Sequence, residues 1–194
     1  MPGSLVRLRQ REPARLVVEN RLDQETTVHR HGIRLPNAMD GVPGLTQPPI
    51  RPGESFIYEF TPPDAGTFWY HPHANSLEQL GRGLTAAVIV EARQPVAVDS
   101  DLVWMLSDWR LTEDGGNRME AGVSGRVGNT VSLNGRVSEA EAFRSGERVC
   151  SSASREGVDT VVDATGAAPC YRDGRPLRCF GTGLQMCSPH VEPS

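Results

Sequence analysis

The sequence predicts an all-β protein, and three observations support this class. Short segments rich in β-branched and aromatic residues recur through the first half of the chain, and Pro-Gly and Asp-Gly pairs separate them. No segment shows a sustained helical period of 3.6 residues. Because short strands joined by turns commonly form two packed sheets, we predict a Greek-key sandwich.

Eight segments have the length and composition of strands. Residues 55–60 show the pattern most clearly, because Phe56, Tyr58 and Phe60 alternate with other side chains, which predicts one buried face. In chain order, the predicted strands are residues 5–8, 16–19, 26–31, 55–60, 67–71, 84–91, 102–106 and 127–133.

The chain divides into three predicted regions. Residues 1–93 form a first domain, and a proline-containing linker leads to an incomplete second domain at residues 98–148, which has few strands. All four cysteines lie in residues 149–194, where large apolar side chains are scattered, so we expect a poorly structured tail. Four cysteines could form two disulfides, and the sequence does not choose among three connectivities.

Composition argues against two kinds of partner. The net charge is -4, and the 20 basic residues, all of them arginine, are spread among 24 acidic ones, which argues against nucleic-acid binding. The longest apolar run, residues 84–90, is far shorter than a bilayer span, so no membrane segment is predicted. The N-terminus does not show the pattern of a secretory signal, so the sequence does not predict export.

Four of the five histidines fall in two His-x-His pairs, His29 with His31 and His71 with His73. Random placement of five histidines in this chain would give roughly 0.13 such pairs, so two pairs are far above chance. Residues two apart in a strand point to the same face, so each pair offers two imidazoles to one side of a sheet. We therefore predict a metal site built from all four imidazoles.

The donor type narrows the choice of metal. Four histidines with no thiolate or carboxylate between them favour copper or zinc.

Other families that use a His-x-His pair do not match this sequence. A cupin would add a glutamate soon after its pair, but no acid follows His31 until Asp40. An amidohydrolase barrel is longer than this chain, and a carbonic-anhydrase-like site would leave the second pair unexplained.

Longer motifs surround both pairs. The chain reads His-Arg-His-Gly-Ile-Arg-Leu-Pro-Asn-Ala-Met-Asp-Gly-Val-Pro-Gly from His29, Thr-Pro-Pro-Asp-Ala-Gly-Thr-Phe-Trp-Tyr-His-Pro-His from Thr61, and Gln-Leu-Gly-Arg-Gly-Leu from Gln79. These motifs resemble the N-terminal cupredoxin domain of the multicopper oxidases, the laccase-like family. The resemblance covers about residues 4–148 and is most specific over residues 29–90.

The resemblance implies a cupredoxin-like Greek-key β-sandwich, the truncated start of a second cupredoxin-like domain, and an irregular tail. It also implies a copper-dependent oxidoreductase that reduces dioxygen to water while it oxidises a small reducing substrate, such as a phenol, an aromatic amine or a metal ion. By position in the motifs, His29 would bind the type 2 copper, His31 one type 3 copper, and His71 and His73 one type 3 copper each. Asp40 would be the acid that assists proton delivery. The family implies a periplasmic or extracellular location.

The sequence departs from the family pattern at three points. Arg30 stands where the family usually has tryptophan, and a buried charge there is costly unless it is paired. The family uses eight histidines and a His-Cys-His motif, which this sequence lacks, so a complementing chain would have to supply the remaining ligands. The resemblance stops after Val149. We therefore expect that the tail is out of frame or that the gene is interrupted. A non-catalytic copper-binding module or a truncated remnant is the alternative function.

Overall fold

The computed structural model describes residues 3–118, 128–137, 149–156, 171–172, 175–176 and 183–187. The chain separates into two compact units, residues 2–94 and residues 95–194 together with Met1. Strands dominate both units, which confirms the all-β prediction. The predicted regions 1–93, 98–148 and 149–194 stay predictions.

The first unit contains six strands, one short helix and one 3₁₀ turn. In chain order these are β1 (Val6–Arg9), β2 (Ala14–Glu19), β3 (His29–His31), the 3₁₀ turn (Asn37–Met39), β4 (Ser55–Phe60), β5 (Gly66–His71), α1 (Ser76–Gly81) and β6 (Ala86–Glu91).

Two sheets form this unit. The larger has the order β1-β6-β5-β3, in which β1 is parallel to β6 and the other pairs are antiparallel. The smaller is the antiparallel pair of β2 and β4. Strand β4 has the predicted alternation, because Tyr58 and Phe60 are buried while Ile57 is exposed. Strand β6 is apolar on both faces and its first five residues are buried, as expected for an internal strand.

Apolar side chains of the larger sheet form the core of the unit. Ile33, Phe68, Val88 and Val90 make one buried cluster. Phe68 and Val88 are directly opposite each other in the β5–β6 pair, so they lie on the same face. The smaller sheet contacts the segment before β3, where the backbone N–H of Val28 donates a hydrogen bond of 3.2 Å to the hydroxyl of Tyr58.

The short helix and the 3₁₀ turn were not predicted. Helix α1 has only six residues, too few to show a helical period, and its buried members are Gln79 and Gly81 rather than apolar residues. The predicted strand at 84–91 begins instead at Ala86, because Leu84 follows the end of the helix and donates its N–H to the carbonyl of Gln79. None of the helices among the described residues has the length and apolar character needed to cross a bilayer.

The second unit contains a four-stranded sheet of order β12-β9-β7-β8 and a separate two-stranded pair, β10 with β11. Strand β7 is parallel to β9 and antiparallel to β8. Cys150 is buried at the start of β9, whereas Cys170 and Cys179 lie outside the described residues. The strand bounds are β7 (Ser100–Trp109), β8 (Thr130–Leu133), β9 (Val149–Glu156), β10 (Tyr171–Arg172), β11 (Arg175–Pro176) and β12 (Gly183–Cys187).

Candidate metal centre

The register of β3 and β5 brings the two histidine pairs together. These strands are antiparallel, with His29 opposite His71 and His31 opposite Trp69. Residues directly opposite in such a pair share a face of the sheet, and residues two apart in one strand share it too. The side chains of His29, His31 and His71 therefore point to the same side.

The four imidazoles lie close together. The donor nitrogens of His29, His31 and His71 all lie within 4.8 Å of one another. His73 follows β5, and its ring centroid is 4.6 Å from that of His29 and 4.9 Å from that of His71. The backbone N–H of His73 donates to the hydroxyl of Thr27, 3.2 Å away, which anchors this segment to the chain just before β3. The structure thus gathers all four histidines singled out in the sequence.

Hydrogen bonds to backbone carbonyls determine the tautomer of two of the imidazole rings. Nδ1 of His29 lies 2.8 Å from the carbonyl oxygen of Asp40, and Nδ1 of His71 lies 3.1 Å from the carbonyl oxygen of Pro72. A carbonyl oxygen only accepts hydrogen bonds, so Nδ1 carries the proton in each ring and Nε2 keeps its lone pair. Nε2 of His71 is buried and has no hydrogen-bond partner among the described residues.

Burial favours the neutral form of His31, His71 and His73. It lowers the pKa of His71 from 6.5 to about 4, with smaller contributions from the neighbouring histidines. Burial also lowers the pKa of His31 and of His73, and in both cases the nearby His29 lowers it further. Because metal ions bind the neutral form of imidazole, these side chains are ready to act as ligands at neutral pH.

Asp40 lies beside the site, where the sequence placed the acid. It follows the 3₁₀ turn, and one of its carboxylate oxygens is 3.3 Å from Nδ1 of His29. The next residue, Gly41, has φ +83°, and a side chain there would overlap the backbone of Val28. Glycine is therefore required for the close approach that brings Asp40 to the histidine strand.

Trp69 packs against the site rather than into the apolar cluster. Its ring stacks on His31 and His71, with centroid distances of 5.1 Å and 4.3 Å and interplanar angles of 24° and 26°. The indole is 8 % exposed. This stacking restrains the orientation of two imidazoles, one from each pair.

Arg30 points away from the histidines, as strand alternation requires, and it is buried. Its guanidinium carbon lies 3.8 Å from the centroid of the Tyr58 ring, and its Nη2 donates to the carbonyl oxygen of Met39. Burial lowers the pKa of this guanidinium. An aromatic face and a carbonyl thus pair this buried charge in part.

Sequence reasoning did not place Gln79 near the site. Its side chain is fully buried, donates to the carbonyl of Glu25 at 2.8 Å and accepts from the hydroxyl of Thr26 at 2.7 Å. These bonds tie helix α1 to the segment that leads into β3. Nothing in the local sequence signals this role, because a glutamine in a short polar helix is usually exposed.

Comparison with known proteins supports one family. A family model described as multicopper oxidase matches residues 1–95. Copper resistance protein A of Escherichia coli is 43 % identical over 111 residues, which cover 56 % of this chain and 18 % of that protein. Laccase-1 of Emericella nidulans is 31 % identical over 189 residues, which cover 84 % of this chain and 30 % of that protein. The chain belongs to the multicopper oxidase family.

Solved multicopper oxidase structures have the same fold. The enzyme from Pseudomonas parafulva superposes with a TM-score of 0.79 at 33 % identity, covering 95 % of this chain and 50 % of that one. The enzyme from Pseudomonas thermotolerans gives a TM-score of 0.76 at 39 % identity, covering 79 % of this chain and 39 % of that one. The cupredoxin-like fold is thus confirmed. This multicopper oxidase chain spans about a fifth of the length of the first curated relatives it matches.

The histidine cluster fits copper, the cofactor of the multicopper oxidases. The buried, unpartnered Nε2 of His71 is a polar atom that a metal ion would satisfy. Imidazole nitrogens are ligands that copper prefers. Among the described residues, the possible metal ligands grouped at this site are imidazole nitrogens, with no thiolate and no carboxylate oxygen.

Proposed function

We propose that residues 1–95 hold copper through His29, His31, His71 and His73 and contribute half of a trinuclear copper cluster. The observation that carries this proposal is the convergence of four imidazoles in a multicopper oxidase domain, three from the paired strands β3 and β5 and one from just after β5. In two of them, a backbone carbonyl holds the proton on Nδ1, which leaves Nε2 available. By motif position, His29 serves the type 2 copper and the other three serve the type 3 pair.

Backbone carbonyls prepare these ligands in the way that other metal sites do. An Nδ1–H bonded to a carbonyl fixes the ring plane and raises the basicity of the opposite nitrogen. His29 and His71 both have this arrangement, and Trp69 restrains His31 and His71 by stacking. Binding an ion thus costs little conformational entropy, because the ligand nitrogens are already oriented.

The reaction we propose for the assembled protein is the reduction of dioxygen to water, coupled to one-electron oxidations of a phenol, an aromatic amine or a metal ion. When bound, copper supplies the redox steps of that reaction. One dioxygen takes up four electrons and four protons to give two waters. Asp40 is the residue of this chain that we assign to proton delivery, because its carboxylate lies beside His29 and is partly open to solvent.

The remaining ligands come from outside the described residues. Eight histidines build the cluster in this family, and this chain has five in total. We propose that a complementing segment or chain with a thiolate-bound copper completes the site, and that the assembly works in the periplasm or outside the cell. The reducing substrate would bind next to that thiolate-bound copper.

Metal analysis tests the copper assignment. The purified chain is loaded with Cu(II), passed over a desalting column, and its copper content per chain is measured. We expect bound copper in the wild type and in His190→Gln, which changes the one histidine outside the pairs, and a loss of most copper in the double variant His29→Gln, His71→Gln. Equal copper in all three proteins would contradict the proposal.

An oxidation assay separates the oxidase from the copper-binding module. With excess copper and a phenol, we expect the chain alone to consume no oxygen, because it holds half of the ligands. Oxygen uptake that appears only when a complementing multicopper oxidase fragment is added supports the shared cluster. Copper binding without uptake in any combination favours a non-catalytic copper-binding module.

A further inference from the structure

Arg30 lies between two proposed ligands and is 1 % exposed. Its guanidinium contacts the Tyr58 ring and the carbonyl of Met39, but Nε and Nη1 have no hydrogen-bond partner among the described residues. A buried cation with unpaired N–H groups is costly, and a cation–π contact offsets only part of that cost. The hydrogen bond from Nη2 to the carbonyl of Met39 connects this side chain to the turn that precedes Asp40.

That contact belongs to a pair of hydrogen bonds with a common geometry. Arg30 donates to the carbonyl of Met39, and its strand neighbour His29 donates through Nδ1 to the carbonyl of the next residue, Asp40. The two side chains point to opposite faces of β3, yet they bind successive carbonyls of one turn. The turn is thus attached to the strand from both faces.

The internal bonds of the turn do not provide this attachment. The N–H of Met39 donates to the carbonyl of Pro36, and that of Asp40 donates to the carbonyl of Asn37, so both close the 3₁₀ turn on itself. A further contact, from the N–H of Glu59 to the sulfur of Met39 at 3.3 Å, joins the turn to β4. Arg30 is the side chain that holds the turn to β3 from the face opposite the site.

We propose that Arg30 is a positioning residue for His29. By holding the carbonyl of Met39, it keeps the adjacent carbonyl of Asp40 on Nδ1 of His29, which fixes the His29 tautomer with its proton on Nδ1 and its Nε2 lone pair toward the metal. The planar guanidinium suits this task, because stacking on Tyr58 defines its orientation. The inference rests on the proposed function, since it takes His29 as a ligand, but its first test needs no metal.

Nitrogen NMR of the histidine rings in the metal-free protein at pH 8 gives that test. We expect His29 in the wild type to be protonated on Nδ1, and we expect both tautomers in Arg30→Met, which has similar volume but no donor. Arg30→Lys, which retains a donor, should restore the Nδ1 tautomer at least in part. Arg34→Met is the control, because Arg34 is exposed and paired with Asp64. A wild-type His29 protonated on Nε2, or an unchanged tautomer in folded Arg30→Met, would overturn the proposal.

Copper affinity and stability together distinguish positioning from simple packing. Loss of a residue that orients a ligand typically weakens metal binding by about 10- to 100-fold, and we expect this for Arg30→Met in a competition titration. We expect no decrease in its urea midpoint without metal, because apolar replacement of an imperfectly paired buried charge is often neutral or stabilising. A lower midpoint with an unchanged tautomer would show a purely structural role.

Two further results keep the test decisive. If Arg30→Met does not fold, the His29 tautomer in the wild type and in Arg30→Lys still tests the proposal, because each is measured on a folded protein. If the wild type binds no copper, the proposed function fails, while the tautomer comparison still supports or overturns the link between Arg30 and His29.

Discussion

His29 and His71 lie directly opposite each other across the antiparallel pair of β3 and β5, with their ring centroids 5.3 Å apart. A shift of this pair by one residue would turn the side chains of one strand to the other face and separate the two histidine pairs. The site therefore depends on a register that the rest of the domain maintains.

The buried His71 should make the metal-free domain less stable in mild acid. Its pKa is about 4 in the folded protein and 6.5 as an ordinary histidine, so the unfolded chain binds more protons between these values. The stabilising contribution is fully present above pH 6.5 and is lost as the pH falls toward 4. We expect the urea midpoint to fall between pH 7 and pH 4.5.

The matched variants for this experiment are His71→Gln and His190→Gln. The first should show a smaller decrease in midpoint over this pH range than the wild type, since glutamine does not titrate. The second should behave as the wild type does. Equal decreases in all three proteins would contradict the assignment to His71.

Two glycines with similar backbone angles should respond differently to alanine. Gly41 has φ +83° and Gly53 has φ +80°, so either substitution costs about 1–2 kcal/mol for the left-handed conformation. A side chain at Gly41 would also overlap the carbonyl of Val28, whereas nothing lies within 4 Å at Gly53. We expect the free energy of unfolding to fall more in Gly41→Ala.

Copper affinity provides a second measure of the glycine pair. Relief of the overlap at Gly41 moves Asp40, whose carbonyl and carboxylate contact His29, so we expect Gly41→Ala to bind copper more weakly. Gly53→Ala should bind as the wild type does. The same affinity in both variants would show that the turn does not position the site.

The Asp40 carboxylate and the Asp40 carbonyl should have separable effects. Asp40→Asn removes the charge 3.3 Å from His29 and keeps the carbonyl, so we expect an unchanged His29 tautomer and a copper affinity about 10-fold lower. Asp64→Asn, an exposed acid paired with Arg34, is the control. A changed tautomer in Asp40→Asn would show that the carboxylate, rather than the carbonyl, sets it.

Gln79 should contribute to stability through its buried hydrogen bonds. Gln79→Ala leaves the carbonyl of Glu25 and the hydroxyl of Thr26 without this partner, which costs about 1–3 kcal/mol for a buried polar group. Leu77→Ala in the same helix changes a side chain that is 62 % exposed and should cost at most about 0.5 kcal/mol. Urea denaturation compares the two. Similar costs would contradict a specific role for the glutamine.

Much of the strand pattern could be predicted from the sequence, because alternating side chains and turn residues reflect local conformational preferences. Residues 55–60 match β4, while the predicted strand at 26–31 is reduced to His29–His31 with an isolated bridge from Thr26 to Ile50. The spacing of two was enough to place His29 and His31 on one face of β3, whereas His73 lies beyond the end of β5. The pairing of β3 with β5 was not predictable from spacing, since it depends on contacts distant in sequence.

The polar supports of the site were the least predictable part. Burial of Gln79 and the contact of Arg30 with Met39 depend on tertiary packing, and polar residues are usually assigned to the surface. The backbone carbonyls of Asp40 and Pro72 carry no side-chain signal at all, yet they determine which nitrogens of His29 and His71 are free.

His71 comes forty residues after His31, and strand β6, which pairs with the strand that carries His71, comes later still. During synthesis, an emerging chain exposes the first pair long before the second exists, and closing the loop between them costs entropy that only the finished domain repays. A high-affinity ion would therefore be captured after the domain has folded, so that metallation reports a completed fold.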